Sequence, residues 1–383
     1  MPRSTKSTSS RWLGVLWLCF LAMLARADDT NDLAALTRDL GISLWDKSFS
    51  IRNGVGYDDN VLLDNARVRG SGFFDNGLDA TVYRLPLGAW EYYYFLSGDD
   101  LRYWRNIGVG SQDNWIGAAK IDRVFSDDWK AGATFSYAYQ DQILDLLTTE
   151  GVTAKTPTKV IGNMLSLRPF LRRNLGSNYW VELEAEGVRQ FYGSPAFSYW
   201  RAGPRISFGR DYGFHSQISL SYGVFDQPFD NEPRAAANGT NLPGARLEYL
   251  TQRAELLWRH HYGASHTWES TVRLNFDSVN DNASGYYNFY RYGASAELDY
   301  EAHGWKITAQ GDLRYYNYPH QTADDPELSA LYETGFTASL HVERRITKWL
   351  KLFADYEFEH TFSDDSVEEY AVNTFKGGLQ WEF

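Results

Sequence analysis

The sequence predicts an all-β fold: a transmembrane antiparallel β-barrel of about 16 strands, with 14 or 18 also open. Three observations predict it. Segments of about ten residues alternate apolar and polar side chains along most of the chain, the length that crosses a bilayer when tilted. The connections between them are short and long by turns, as periplasmic turns and extracellular loops are. The mean hydropathy is −0.46, yet 16% of residues are aromatic, with 26 Tyr, 22 Phe and 14 Trp. So polar a chain hides no second apolar helix, but barrels need such rings at both membrane interfaces.

Particular strands carry the alternation. Trp129, Ala131, Ala133, Phe135, Tyr137 and Tyr139 share one face, opposite Lys130, Gly132, Thr134 and Ser136. Phe214, Ile218, Leu220, Tyr222 and Val224 lie opposite His215, Gln217, Ser219 and Ser221. Trp305, Ile307, Ala309, Leu313 and Tyr315 oppose Lys306, Thr308, Gln310, Asp312 and Arg314. Leu350, Leu352, Ala354, Tyr356 and Phe358 oppose Lys351, Asp355 and Glu357. At the C-terminus, Phe375, Gly377, Leu379, Trp381 and Phe383 oppose Thr374, Lys376, Gly378, Gln380 and Glu382. Strand starts are expected near 46, 76, 90, 114, 129, 158, 179, 197, 214, 245, 267, 287, 304, 330, 349 and 370. The second and third strands are the least regular. In Glu91-Tyr92-Tyr93-Tyr94-Phe95-Leu96 rings occupy both faces, so the register over 69–105 stays open.

Short turns are read near 85–88, 126–128, 174–177, 210–213, 263–265, 302–304 and 346–348. Long loops are read near 59–70, 100–113, 142–157, 227–243, 277–286, 317–328 and 361–369. Almost every short turn is followed at once by an aromatic: Trp90, Trp129, Tyr179-Trp180, Phe214, Trp268, Trp305 and Trp349. With Phe383 these are expected to form a girdle at one membrane interface.

At the other end, Arg3, Lys6 and Arg11 precede an apolar run from Trp12 to Leu24, then Ala25-Arg26-Ala27. That is the pattern of a secretory signal peptide over 1–27. Cys19, the one cysteine, lies within it, so cleavage leaves no disulfide and no Cys-based metal site. Residues 28–45 are expected to be a short periplasmic segment with Leu33, Leu36, Leu40 and Leu44 on one side. The barrel is expected over 46–383.

Candidate functional residues lie on the polar face. Arg168, Glu182, Glu184, Glu186, Arg201, Arg205, Arg253, Glu255, Arg273, Arg291, Asp312, Arg314 and Lys376 are the pore-lining candidates, a wall of nearly balanced charge. The acidic ladder Glu182, Glu184, Glu186 between Arg168 and the pair Arg201, Arg205 either sets ion selectivity or pairs across strands. The excess acid is assigned to loops, including Asp58, Asp59, Asp99, Asp100, Asp277 and Asp281. Such loops are solvated surface or, less readily, calcium ligands; no D-x-[DN]-x-[DN]-G loop is present. No G-x-S-x-G, H-E-x-x-H or nucleotide-binding loop occurs, and His320 with Asp324 and Asp325 is too thin a set for a protease, so no enzyme and no cofactor are expected. The net charge of −12 argues against a nucleic-acid partner.

A closing strand that ends on an aromatic, Gly377-Gly378-Leu379-Gln380-Trp381-Glu382-Phe383, resembles the last strand of Gram-negative outer-membrane barrels. The resemblance extends over roughly 46–383. It implies an outer-membrane location, periplasmic termini for an even strand number, contact with outer-membrane lipids and lipopolysaccharide, and recognition of the C-terminal strand by the assembly machinery. More narrowly, Gly54-Val55-Gly56-Tyr57-Asp58-Asp59-Asn60-Val61 is similar to the opening of a β-barrel porin family. The barrel part of surface lipoprotein assembly modifiers opens similarly, but those proteins carry a helical repeat domain ahead of the barrel; the short segment 28–45 counts against that role here. The function expected is a porin-like channel for passive diffusion of small polar solutes. The alternatives are a conduit for exopolysaccharide export, carrying a glycan, or a plugged structural or adhesive barrel.

Overall fold

A computed structural model describes residues 44–65, 68–84, 89–105, 108–144, 158–194, 197–213, 215–263, 267–321, 330–364 and 369–383. The expected signal peptide and most of the segment 28–45 lie outside the described residues.

The described chain is a closed antiparallel barrel of sixteen strands. They are β1 (Trp45–Asp58), β2 (Ser71–Arg84), β3 (Trp90–Tyr103), β4 (Ser111–Val124), β5 (Trp129–Leu144), β6 (Thr158–Gly176), β7 (Tyr179–Ser194) and β8 (Tyr199–Tyr212), followed by β9 (Ser216–Ala235), β10 (Asn241–Tyr262), β11 (Trp268–Asp281), β12 (Phe289–Ala302), β13 (Trp305–Tyr318), β14 (Leu331–Arg345), β15 (Leu350–Ser363) and β16 (Tyr370–Glu382). Each strand pairs with its sequence neighbours, and β1 closes on β16 from Ser50↔Glu382 to Asp58↔Thr374. Closure leaves no free edge, which a spanning structure requires because hydrocarbon offers the backbone no hydrogen bonds.

One parity of every strand faces out. Leu171, Leu183, Ile206, Tyr222, Phe276 and Tyr292 are large, apolar and at least one-third exposed. Leu183 is the register partner of both Leu171 and Ile206, and Ile206 is that of Tyr222, so they form a continuous apolar row. An exposed apolar row on a closed sheet is the lipid-facing surface of a membrane barrel.

The expected strand starts agree with the observed ones within a few residues. The largest departure at a start is β2, which begins at Ser71 rather than near 76. Phe73 and Phe74 point to opposite faces there, and Phe73 is fully buried, so no alternation marked the boundary. The region 227–243, read as a long loop, is instead a continuation of the β9–β10 hairpin, with only 236–240 between the strands.

The girdle at the short-turn rim has an unforeseen second member. The outward aromatics Trp45, Trp90, Trp129, Tyr179 and Trp305 have as direct cross-strand partners Arg84, Arg123, Arg173, Arg210 and Arg344. Trp268 pairs instead with Tyr300, and Phe383 lies 6.0 Å from Phe49 across the seam. Trp349 lies in the turn before β15 and is exposed. Phe214 lies outside the described residues.

Trp180 corrects the girdle expectation. It shares its face with Glu182 and is only 4% exposed. Its indole N–H donates to Asp211 at 3.1 Å, Arg172 lies 4.1 Å above its ring, and Gly209 opposite leaves space for the indole. Tyr179, stacked on Phe208, takes the outward place. Two consecutive rings after one turn must point to opposite faces, and only the polar partners identify which goes inside.

Candidate functional site: the lumen

Inward side chains follow from the register. Arg253 faces Gly223 and Asp277, and Asp277 faces Arg291, which fixes the parity of β9 to β12. The same stepping places all the charged candidates inside: Arg168, Glu182, Glu184, Glu186, Arg201, Arg205, Arg253, Glu255, Arg273, Arg291, Asp312, Arg314 and Lys376.

In the sector from β6 to β13 these charges neutralise one another. Arg201 donates to Glu186 at 2.9 Å, Arg205 lies 3.9 Å from Glu184, and Arg172 faces Glu182 across β6–β7. Arg168 enters the same ladder from β6. Arg273 lies 3.8 Å from Glu255, and Arg314 lies 2.7 Å from Asp312 on its own strand. The strongest node is Asp277, 1% exposed, which accepts from Arg253 at 2.7 Å and also from Arg291. Of the acids expected in loops, Asp58, Asp100 and Asp281 lie on strands, as do Asp277 and Asp99. Asp277 and Asp99 face inward, because β3 and β11 run further toward the long-loop end than their apolar alternation does.

The sector from β14 through β16 to β3 is different. An ionic chain runs along it. Arg52 bridges Asp75 and Asp99, Lys376 lies 3.4 Å from Asp75 and 3.7 Å from Asp355, and His341 touches both Asp355 and Glu343. Lys351 joins Glu343 at 3.0 Å to Glu382 at 2.5 Å. Asp79, Glu357 and Glu359 add carboxylates to the same wall. Carboxylates therefore outnumber cations here, and the wall carries net negative charge. Asp75 and Asp79 went unseen as lumenal acids because aromatics on both faces blurred the first strands.

At the long-loop end the lumen narrows. One side is filled by a buried aromatic cluster. Tyr199 and Tyr249 pack on Phe229 at 5.5 and 5.2 Å, and Tyr318 packs on Phe289 at 5.4 Å. Tyr286 and Tyr287, from the loop after β11, join it. That loop is wrapped around Asp281, whose carboxylate accepts the backbone N–H groups of Ala283, Gly285 and Tyr287 at 2.9 Å each. Asp281 is thus occupied as a loop organiser rather than offered to calcium.

On the other side the segment after β1 folds in, burying Asn60 and Val61. The Tyr57-Asp58-Asp59-Asn60 motif has a structural task here. Asp59 accepts from the Asn373 backbone at 2.7 Å and from its side chain at 2.8 Å. The Asn60 amide donates to the Ala371 carbonyl at 2.9 Å, and the Asp58 carboxylate accepts the Asn60 N–H at 2.8 Å. The motif thereby ties the first loop to the last strand across the seam. Between the folded-in segment and the acidic wall lies a cavity of about 520 Å³, lined by Asp99, Gln112, Asn114, Gln142, His341, Asp355 and Glu357 among others.

A polar interior, a lipid-facing exterior and full closure define a transmembrane β-barrel. No protein-family model matches the chain, and no curated protein sequence does. Among solved structures, OccAB1 of Acinetobacter baumannii is similar over 88% of this chain and 96% of its own, at 8% identity and a TM-score of 0.47. A BenF-like porin from Pseudomonas fluorescens Pf-5 is similar over 88% and 98%, at 9% identity and a TM-score of 0.43. A structure described as a bacterial polysaccharide outer membrane secretin is similar over 88% and 98%, at 10% identity and a TM-score of 0.41.

Proposed function

We propose that this barrel is a passive channel that admits small polar solutes and favours cations over anions. The observation that carries the reading is the net acidic wall bounding the 520 Å³ cavity, opposite a sector whose charges cancel. Rings of charge of one sign set selectivity in wide aqueous pores. Diffusion down a gradient needs neither cofactor nor catalytic residue, and an enzymatic role forms no part of the proposal. The short-turn rim and both termini are assigned to the periplasm, and the long-loop end to the exterior.

Planar-bilayer recording tests the reading. Purified, folded protein should give stable stepwise conductance with a reversal potential that favours potassium over chloride. Silence of folded protein at all voltages would overturn it and leave the second reading, a conduit opened only by a partner during glycan export. The buried aromatic cluster at the long-loop end is the feature that favours that alternative.

A further inference from the structure

The two rims of the outer surface treat their arginines differently. At the long-loop rim, Arg189 and Arg102 are neutralised by the protein itself. Arg189 donates to Asp230 at 2.9 Å, and Arg102 lies 2.6 Å from Asp100. At the short-turn rim, Arg123, Arg173 and Arg210 are exposed, and among the described residues none of the three is ion-paired. Each guanidinium lies over the ring of its cross-strand partner: Arg123 at 5.2 Å from Trp90, Arg173 at 5.3 Å from Trp129, Arg210 at 5.1 Å from Tyr179.

A ring beneath a guanidinium attracts it and holds it flat, leaving N–H groups free at the edge. Trp and Tyr of a girdle sit at headgroup depth, so these N–H groups lie where lipid phosphates lie. A planar fork of donors matches two phosphate oxygens. Three unneutralised positive charges on three successive hairpins would repel a cationic headgroup but attract an anionic one.

We propose that these arginine–aromatic pairs bind the phosphate headgroups of anionic phospholipid in the leaflet at the short-turn rim. The inference rests on the membrane-barrel reading and is independent of the channel.

The test is lipid binding to the full chain in nonionic detergent, followed by native mass spectrometry with phosphatidylglycerol and, separately, phosphatidylcholine. Wild type should bind phosphatidylglycerol in preference. The triple variant Arg123→Gln, Arg173→Gln, Arg210→Gln should lose on the order of a hundredfold in apparent affinity, at roughly fivefold per arginine. The corresponding triple lysine variant should keep most of the preference. Equal binding of phosphatidylcholine by wild type, or undiminished phosphatidylglycerol binding by the glutamine variant, would overturn the proposal. So would displacement of the lipid by millimolar inorganic phosphate, which would mark a site for soluble anions. Heat-modifiable gel mobility checks that the variant is folded. If it is not, Arg173→Gln alone should show the fivefold loss. Unchanged bilayer conductance alongside a failed lipid test would leave the channel standing without the lipid site.

Discussion

Leu183 offers the sharpest test of which face meets lipid. It is 55% exposed and sits in the apolar row between Leu171 and Ile206, four residues from the rim residue Tyr179. At roughly 3.3 Å per residue and a tilt near 40°, that places it about 10 Å from the interface, close to the middle of an apolar band about 25 Å tall. Arginine on the lipid face costs about 2–4 kcal/mol at the midplane and about 0–1 near an interface. Leu183→Arg should therefore destabilise the barrel by about 3 kcal/mol, a shift of roughly a hundredfold in the folding equilibrium. Tyr179→Arg should cost under about 1 kcal/mol. Glu184→Gln, one residue along but inside, should also cost little, since Arg205 lies 3.9 Å away in a wet lumen. Urea titrations in phosphatidylcholine vesicles, followed by tryptophan fluorescence, measure all three. A small cost at Leu183 together with a large one at Glu184 would invert the assignment of faces and refute the register argument.

Other perturbations follow from the lumen. Asp277→Asn leaves Arg253 and Arg291 without their shared carboxylate. Each arginine side chain keeps 22% exposure to the lumen, so the cost should lie near the low end for a broken buried pair, about 3 kcal/mol in the same urea assay. Reversing Arg201 and Arg205 to Glu should raise the potassium-to-chloride permeability ratio; an unchanged ratio would make them structural partners of Glu186 and Glu184 only. Phe289→Ala should loosen the aromatic cluster and raise single-channel conductance, and an unaltered conductance would confine permeation to the acidic side. Removing Phe383 should slow folding into vesicles, since its backbone N–H and the Phe49 carbonyl close the seam at 2.8 Å.

Much of this barrel was legible in the amino-acid order because period-two alternation is local. Trp129 to Tyr139 declares its faces without help from the rest of the chain. What was not legible depends on partners across strands. Phe73, Tyr316 and Tyr318 are apolar enough for lipid, yet they are buried inside the mouth, and alternation cannot distinguish a packed interior from hydrocarbon. Trp180 was misplaced for the same reason. Asp277 looked like a loop acid because β11 continues past its apolar strip, and only the positions of Arg253 and Arg291 reveal its burial. The arginines at the short-turn rim were visible as residues but not as a pattern. Arg123 is 33 positions from Trp90 in sequence, and only the register makes them neighbours.

The closure of β1 on β16 also bears on how the molecule is made. Its first strand waits for its last. Until β16 is paired beside it, Trp45–Asp58 has one edge with no partner, and 311 residues separate Asn60 from the Ala371 carbonyl it must reach. Contacts so distant in sequence make folding slow, and an open edge in the meantime invites pairing with other chains. A chain cut short anywhere before its final strand gains no smaller barrel; it keeps two unmatched edges. Quality control is therefore built into the topology, because only a chain that carries β16 can cover the open edge of β1.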